Sequence, residues 1–251
     1  MKPVLYDGGF EGFLTAVFEI YEYRIAAPSI CRNQMAGGSL FGEPHRVHTQ
    51  AEKAHRVLKR LQQYTSAAGM KAMYRCFLSE LPGIENILLR YIQYVVEKKT
   101  GAENDFGHPD VLAVQQTSKK VYREKHRMEA FVRFQLTADG LYYAVVQPDY
   151  NVLPLIATHF KLRYADQRWL IYDCRRKYGL FYDLDTVSEV LIDFSEGNGQ
   201  AGAVYDEKEG LYQELWKQYY DSVNIKARKN TRLHIQHVPK RYWRYLVEKQ
   251  A

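Results

Sequence analysis

Near Met128 the hydrophobic pattern changes period, and this limits the fold more than any other feature of the chain. Before it, apolar residues recur every three or four positions, as one face of a helix requires. Phe10, Phe13, Leu14, Val17, Phe18 and Tyr21 mark an amphipathic helix over 10–24, preceded by a short strand at 4–6. Ala54, Val57 and Leu61 mark a second helix, Met73, Phe77 and Leu81 a third, and Ile84, Leu88 and Val95 a fourth. A fifth carries Val111, Val114 and Val121 to about residue 125, with Pro109 where helices begin. Thr49-Gln50-Ala51-Glu52 reads as a capping box. Residues 29–48 are glycine-rich without a helical period and read as a hairpin or a long loop, with Gly37-Gly38 at its turn.

After Met128 the alternation begins. Ala130, Val132, Phe134 and Leu136 share one face of a strand, Asp139-Gly140 signals a tight turn, and 141–147 is the return strand. Pro148-Asp149-Tyr150-Asn151 then opens a helix, with Asp149 or Asn151 as cap and Pro154 in its first turn. Residues 168–173 and 178–183 form a second hairpin around Cys174-Arg175-Arg176-Lys177, and 187–194 is a fifth strand. A linker at 195–202, a helix carrying Tyr212, Leu215, Trp216 and Tyr219, and a basic tail complete the chain. Helices followed by strands make an α+β fold. The expected design is one domain over 1–251: a mostly helical subregion (1–125) packed on a mainly antiparallel sheet of two hairpins (126–195), then the C-terminal helix and tail (196–251).

Charge and chemistry constrain function less. The net charge is +6, and it is sorted into blocks. Eight Lys/Arg stand against Glu248 between residues 226 and 249, and eight acidic residues stand against Lys208 between 183 and 209. A local basic field attracts polyanions; equally, the acidic block can pack beside the basic tail. No apolar run approaches the roughly 20 residues that cross a bilayer, so no membrane partner and a cytoplasmic location are expected. The three cysteines, Cys31, Cys76 and Cys174, form no CxxC and read as buried thiols. P-loop, zincin, nucleophile-elbow and three-cysteine cluster motifs are all absent. No metal ligand set and no cofactor is assigned.

Binding residues are easier to nominate than catalytic ones. Arg175, Arg176 and Lys177 place three cations at a hairpin tip beside Asp173, where arginines can grip adjacent phosphates or simply pair with that carboxylate. Arg133 and Arg163 add cations nearby. The tail interleaves Arg241, Tyr242, Trp243, Arg244 and Tyr245, a pattern suited to stacking on bases, or to anchoring the C-terminus by its aromatics. The 21 tyrosines fit either use. The catalytic candidates are Asp149, His159 and Asp173, with His126 and Asp7 behind them. Their bland readings are a helix cap for Asp149 and a core histidine for His159, which shares an apolar face with Ile156 and Phe160.

Several short patterns, taken together, resemble a family associated with DNA repair or DNA metabolism. They are Tyr6-Asp7-Gly8 with Phe10-Glu11-Gly12-Phe13-Leu14; His126-Arg127 before Ala130-Phe131-Val132-Arg133-Phe134; Pro148-Asp149 before Leu153-Pro154; His159-Phe160 with Arg163-Tyr164; Trp169-Leu170-Ile171-Tyr172-Asp173; and Pro239-Lys240-Arg241-Tyr242-Trp243. The resemblance covers nearly the whole chain; it departs at Gly9, where a small hydroxyl residue is expected, without touching a functional position. Similar proteins are encoded beside a radical-SAM protein of DNA modification or repair. In some bacteria a similar domain is fused to a uracil-DNA-glycosylase-like domain. The resemblance therefore implies a bacterial DNA-repair setting, DNA as a partner, and a radical-SAM protein that performs the chemistry. It implies no catalytic residue. The expected function is that of a DNA-binding accessory protein. The alternatives are a metal- or water-dependent enzyme acting on nucleic acid, and a protein-interaction scaffold without DNA affinity.

Overall fold

A computed structural model of the chain describes residues 1–33, 43–138, 140–191, 238–246 and 249. The linker, the helix expected around Tyr212–Tyr219 and most of the basic tail lie outside these residues, as do Gly37-Gly38 and Asp139. The chain forms two compact units, Met1–Tyr122 and Arg123–Ala251, and the boundary falls inside a helix. Helices predominate in the first unit and a mostly antiparallel sheet in the second, so the fold class is α+β.

The first unit begins with β1 (Lys2–Tyr6), α1 (Phe10–Glu22) and β2 (Pro28–Arg32). A two-residue β3 (His45–Arg46) follows, then α2 (Ala51–Gln62), α3 (Ala67–Phe77) and α4 (Ile84–Lys98). β1 lies between β2 and β3 and runs parallel to both. The expected hairpin pairing is therefore not made: β2 and β3 flank β1 instead of pairing with each other. A central parallel strand is covered on both faces, which is why Val4, Leu5 and Tyr6 are buried in succession. Around it Phe10, Phe13, Tyr74 and Phe77 form an aromatic cluster with ring centroids 5.0–6.3 Å apart. Tyr6 donates to the buried Glu85 at 2.9 Å, and Arg32 donates to the same carboxylate at 3.1 Å. Burial, then Glu85, push the Tyr6 phenol well above its usual range.

The expected capping box does not form. Gln50 is the N-cap of α2 without a side-chain bond, because the Thr49 hydroxyl is spent on the Asp7 carboxylate at 2.6 Å. Asp7 also accepts from the Gly9 amide at 2.8 Å. Gly12 makes room for this junction: a Cβ there would lie 2.1 Å from Asp7 Oδ1 and 2.8 Å from Thr49 Oγ1.

The boundary helix α5 (Pro109–Phe131) runs past the expected change of period. Val121, Glu124 and Met128 are buried on one face, spaced as a helix spaces them, and Val132 donates its amide back to Met128 at 3.1 Å. The alternation of Ala130, Val132 and Phe134 was therefore the end of a helix plus an irregular segment. Only Gln135–Leu136 forms strand β4.

The second unit continues with β5 (Tyr142–Val146), α6 (Leu153–Arg163), β6 (Trp169–Asp173), β7 (Tyr178–Tyr182) and β8 (Val187–Leu191). The strands lie in sequence order, β4-β5-β6-β7-β8. Both hairpins are present, and β8 extends the second; the central pair β5–β6 is parallel, joined through α6. α6 starts after Val152, with Pro154 in its first turn and no side-chain cap, so neither Asp149 nor Asn151 serves as one. Its apolar face, with Phe134, buries Trp169 among Phe160, Tyr164 and Tyr182. A 3-10 helix, Lys240–Tyr245, closes the described chain.

Two tests address the first unit. Alanine in a helix normally gains about 1 kcal/mol over glycine, but Gly12→Ala forces Asp7 out of its bonds and should cost about 1–3 kcal/mol in urea unfolding. In an Asp7→Ala background the same change should become neutral or stabilising. Near the end of α4, Lys98 and then Tyr94 hold the Asp105 carboxyl down at about 2, against an ordinary 3.8. A lowered folded pKa adds stability above the ordinary value and loses it as pH falls toward the folded one. A carbon-detected NMR titration should place the Asp105 midpoint near 2, and Lys98→Met should move it up toward 3.8.

Candidate nucleic-acid interface

The centre of this surface is a carboxylate that sequence reasoning passed over. Glu124 occupies the apolar face of α5 and is 2% exposed. Its Oε1 accepts from the Asp149 amide at 2.8 Å and from the Tyr242 hydroxyl at 2.7 Å. Its Oε2 accepts from Arg241 Nη2, also at 2.7 Å. Arg241 reaches Asp149 Oδ2 with Nη1 at 2.8 Å, and its guanidinium lies 4.6 Å from the Tyr242 ring centroid. A buried charge needs such a complete set of partners to be tolerated.

Each group leaves its mark on the others. Burial, then Glu124, push the Tyr242 phenol well above its usual range. Burial alone would lower the Arg241 guanidinium, but the Tyr242 hydroxyl and Glu124 outweigh it and hold the pKa up. Tyr150 is raised by burial and then by Glu124 and Asp149, with Arg123 and Arg241 opposing.

The β6–β7 turn joins the same site. Asp173 is fully buried and accepts from the Arg175 amide at 2.9 Å, the Arg176 amide at 3.3 Å and Arg176 Nη1 at 2.8 Å. Arg175 Nη1 donates to the Asp149 carbonyl at 2.8 Å, as does Arg176 Nη2 at 3.1 Å, and Arg176 Nη1 reaches the Pro148 carbonyl at 3.2 Å. Lys177 is exposed, with a left-handed φ of 58°. Cys174, expected to be buried, is exposed, and its Sγ lies 3.6 Å from the Tyr245 hydroxyl. That hydroxyl also donates to Gln147 Oε1 at 3.1 Å. Cys76 is the buried thiol, pushed up to about 12 by burial.

The structure thus brings together Asp149, Arg175, Arg176, Arg241 and Tyr242; Lys177 follows on the same turn, and Arg244 lies over the Tyr245 ring, 4.7 Å from its centroid. Tyr242 faces inward and is 2% exposed, while Arg241, Arg244 and Lys240 lie on the surface. Arg163 stands elsewhere, exposed in the last turn of α6 with its guanidinium 5.7 Å from the Tyr164 ring. Arg133 donates to the carbonyls of Ala130 and Val132 at 2.8 and 3.3 Å, tying off the end of α5.

The catalytic candidates have separate partners. Asp149 faces Arg241, and Asp173 is enclosed by its own turn. His159 is not a core residue: its side chain is 37% exposed, with Nδ1 3.6 Å from Glu129 Oε1. The same carboxylate pairs with Lys125 at 2.5 Å and lies 3.9 Å from His126. Asp7 belongs to the glycine junction of the first unit. Among the described residues, no group of three or more His, Cys, Asp and Glu side chains is arranged to hold a metal ion, and no helix is long and apolar enough to cross a membrane. Gly197, Gly199 and Gly202 have the spacing of a dinucleotide-binding loop but lie outside the described residues. The strand before them, β8, pairs antiparallel with β7, whereas that loop follows a parallel strand.

A family described as a domain of unknown function, DUF4130, matches residues 82–248, more than half of the chain. The chain belongs to the DUF4130 family. The matched span runs from the turn before α4 to the 3-10 helix and takes in every residue of the Glu124 site. No curated protein matches the chain, and no solved structure matches it.

Glu124 was open to detection. A carboxylate three residues after Val121 and four before Met128 sits on a buried stripe, where only a bonded charge survives. Replacing it with alanine strands the Tyr242 hydroxyl, the Asp149 amide and one edge of Arg241. Glu124→Ala should cost about 3–5 kcal/mol in denaturant unfolding, and Glu124→Gln, which keeps an acceptor, clearly less.

Proposed function

We propose that this DUF4130 member is an accessory protein of DNA repair or DNA metabolism that binds DNA through the second unit and works beside a radical-SAM protein. One observation carries the reading. Cations from three separate stretches of sequence, Arg123 on α5, Arg175 and Arg176 on the β6–β7 turn, and Arg241 on the 3-10 helix, are gathered around Asp149 and Tyr150. Charge scattered through the sequence becomes one local field, the electrostatic footprint that phosphate backbones seek.

The roles within that field differ. Arg176 and Arg241 are committed to carboxylates and carbonyls, and they hold the surface in shape. Arg175 spends one nitrogen on Asp149 and keeps its side chain exposed. Lys177, exposed on the turn pinned by Asp173, is the residue proposed to touch phosphate first, with Arg244, whose guanidinium lies 4.7 Å from the Tyr245 ring centroid, as a second surface cation. The resemblance to proteins encoded beside a radical-SAM protein supports DNA as the polyanion and assigns the reaction to that partner. The arrangement of Asp149, His159 and Asp173 around separate partners gives the enzymatic alternative no support of its own.

Binding of a labelled DNA to the full chain, titrated with salt, tests the reading. Affinity should fall steeply with salt, and Lys177→Ala should flatten the logarithmic slope by about 0.9, the loss of one phosphate contact. Absence of binding at low salt would overturn it. Co-purification with the radical-SAM protein, insensitive to nuclease and without DNA affinity, would support a protein scaffold instead.

A further inference from the structure

Arg241 is held at two places on its guanidinium, and the two are unequal. Nη2 donates inward, to the Tyr242 hydroxyl and to Glu124 Oε2 at 2.7 Å, where the Glu124 side chain is 2% exposed. Nη1 meets Asp149 Oδ2 at 2.8 Å at the surface, where the Arg241 and Asp149 side chains are 40% and 47% exposed. Breaking the first contact would leave a buried carboxylate short of a partner. The second is an exposed ion pair, which contributes little to stability and is readily exchanged.

The backbone of Asp149 has no such freedom. Its amide is bonded to Glu124 at 2.8 Å, and its carbonyl accepts from Arg175 Nη1 at 2.8 Å and Arg176 Nη2 at 3.1 Å. Rotation of the side chain alone can therefore carry the carboxylate away from Arg241 while the three guanidiniums stay in place. Of the three carboxylates that hold them, Glu124 and Asp173 are buried and Asp149 stands at the surface. It covers the outward nitrogen of a guanidinium that Glu124 has already aimed. A phosphate oxygen fits the same place, because arginine binds carboxylate and phosphate through one planar fork.

We infer that the outward nitrogen of Arg241 is a phosphate-binding site and that Asp149 is its resident competitor, displaced when a backbone phosphate of DNA binds. This rests on the DNA-binding reading above and deepens it, by assigning a phosphate to Arg241 and an autoinhibitory contact to Asp149. The exchange needs no unfolding: one charge-assisted contact at Nη1 is traded for another, and the Glu124 contact is kept. Arg175, with its exposed side chain on the carbonyl of the same Asp149, supplies a second cation beside the first. The tether also sets selectivity. A carboxylate attached next to its arginine competes at a high effective concentration, so an isolated phosphate ion displaces it poorly. A DNA backbone, which gains several cations at once, displaces it well.

Fluorescence anisotropy of the full chain with a labelled DNA at low salt tests this through two variants. Asp149→Asn keeps the size of the side chain and the backbone bonds, and should bind about fivefold more tightly. Arg241→Lys keeps a charge for Glu124 but loses the fork. It should bind more weakly, and adding Asp149→Asn to it should bring little further gain. A gain of equal size in both backgrounds reports only a lost negative charge and would overturn the inference. NMR keeps the test decisive if Arg241→Lys does not fold: the Arg241 Nε–H signal and the Asp149 carboxylate carbon should both shift when the wild-type protein is saturated with DNA. Inorganic phosphate should shift the Arg241 signal in Asp149→Asn and leave it in place in the wild type. A wild-type response to inorganic phosphate without one to bound DNA would overturn the assignment to the backbone. DNA binding that leaves both signals unmoved would overturn the site and leave the DNA-binding reading standing. No binding of DNA by the wild type or by Asp149→Asn would overturn both.

Discussion

A single buried carboxylate organises the second unit. Glu124 binds the start of the Pro148–Asn151 segment, the guanidinium of Arg241 and the hydroxyl of Tyr242, groups that come from residues far apart in the chain. Burying a charge is unfavourable unless every lone pair is used. Once it is used, the geometry that satisfies it becomes hard to change. Asp149 is fixed by this bond at its amide and by Arg241 at its carboxylate; its carbonyl then collects Arg175 and Arg176. The position of the hairpin tip thus follows from a charge on the helix before the sheet.

The aromatic excess divides along the same lines. One group forms the sheet core, with Trp169 at its centre and Tyr182 donating to the Leu184 carbonyl at 2.8 Å. A second group, Tyr242 and Tyr245, uses ring and hydroxyl together: the ring covers apolar surface while the oxygen answers a buried acceptor. Neither group is available to a ligand. Among the described residues these tyrosines therefore serve the fold, whereas Tyr21, Tyr23 and Tyr122 keep their rings exposed.

The legible part of the sequence was the local part. Helical faces in the first unit, the turn at Gly140 and the hairpin around Cys174–Lys177 each depend on residues close together, and each formed as the pattern indicated. The misread parts were settled by distant partners. Thr49 looked like a helix cap because its competitor, Asp7, is 42 positions away. The end of α5 looked like a strand because alternation over 130–136 is compatible with a helix end followed by irregular chain. β2 and the two-residue β3 were read as halves of one hairpin because the strand they both pair with, β1, lies far from them in sequence. For the site, the arginines were visible as composition, but their division into struts and exposed cations depends on Glu124 and Asp173, which alone look like ordinary acidic residues.

The parallel pair at the middle of the second sheet has a consequence for the order of assembly. β6 and β7 are joined by the short turn Cys174–Lys177 and meet at little entropic cost, whereas β5 reaches β6 only across the whole of α6. The hairpin that carries the cationic tip can thus close early, before β5 brings Gln147 and Asp149 to it. Until then, Arg175 and Arg176 lack the carbonyls of Pro148 and Asp149. The contacts that fix the arginines of the tip therefore come from residues that join after the hairpin, and a nascent chain would carry these cations before it could aim them.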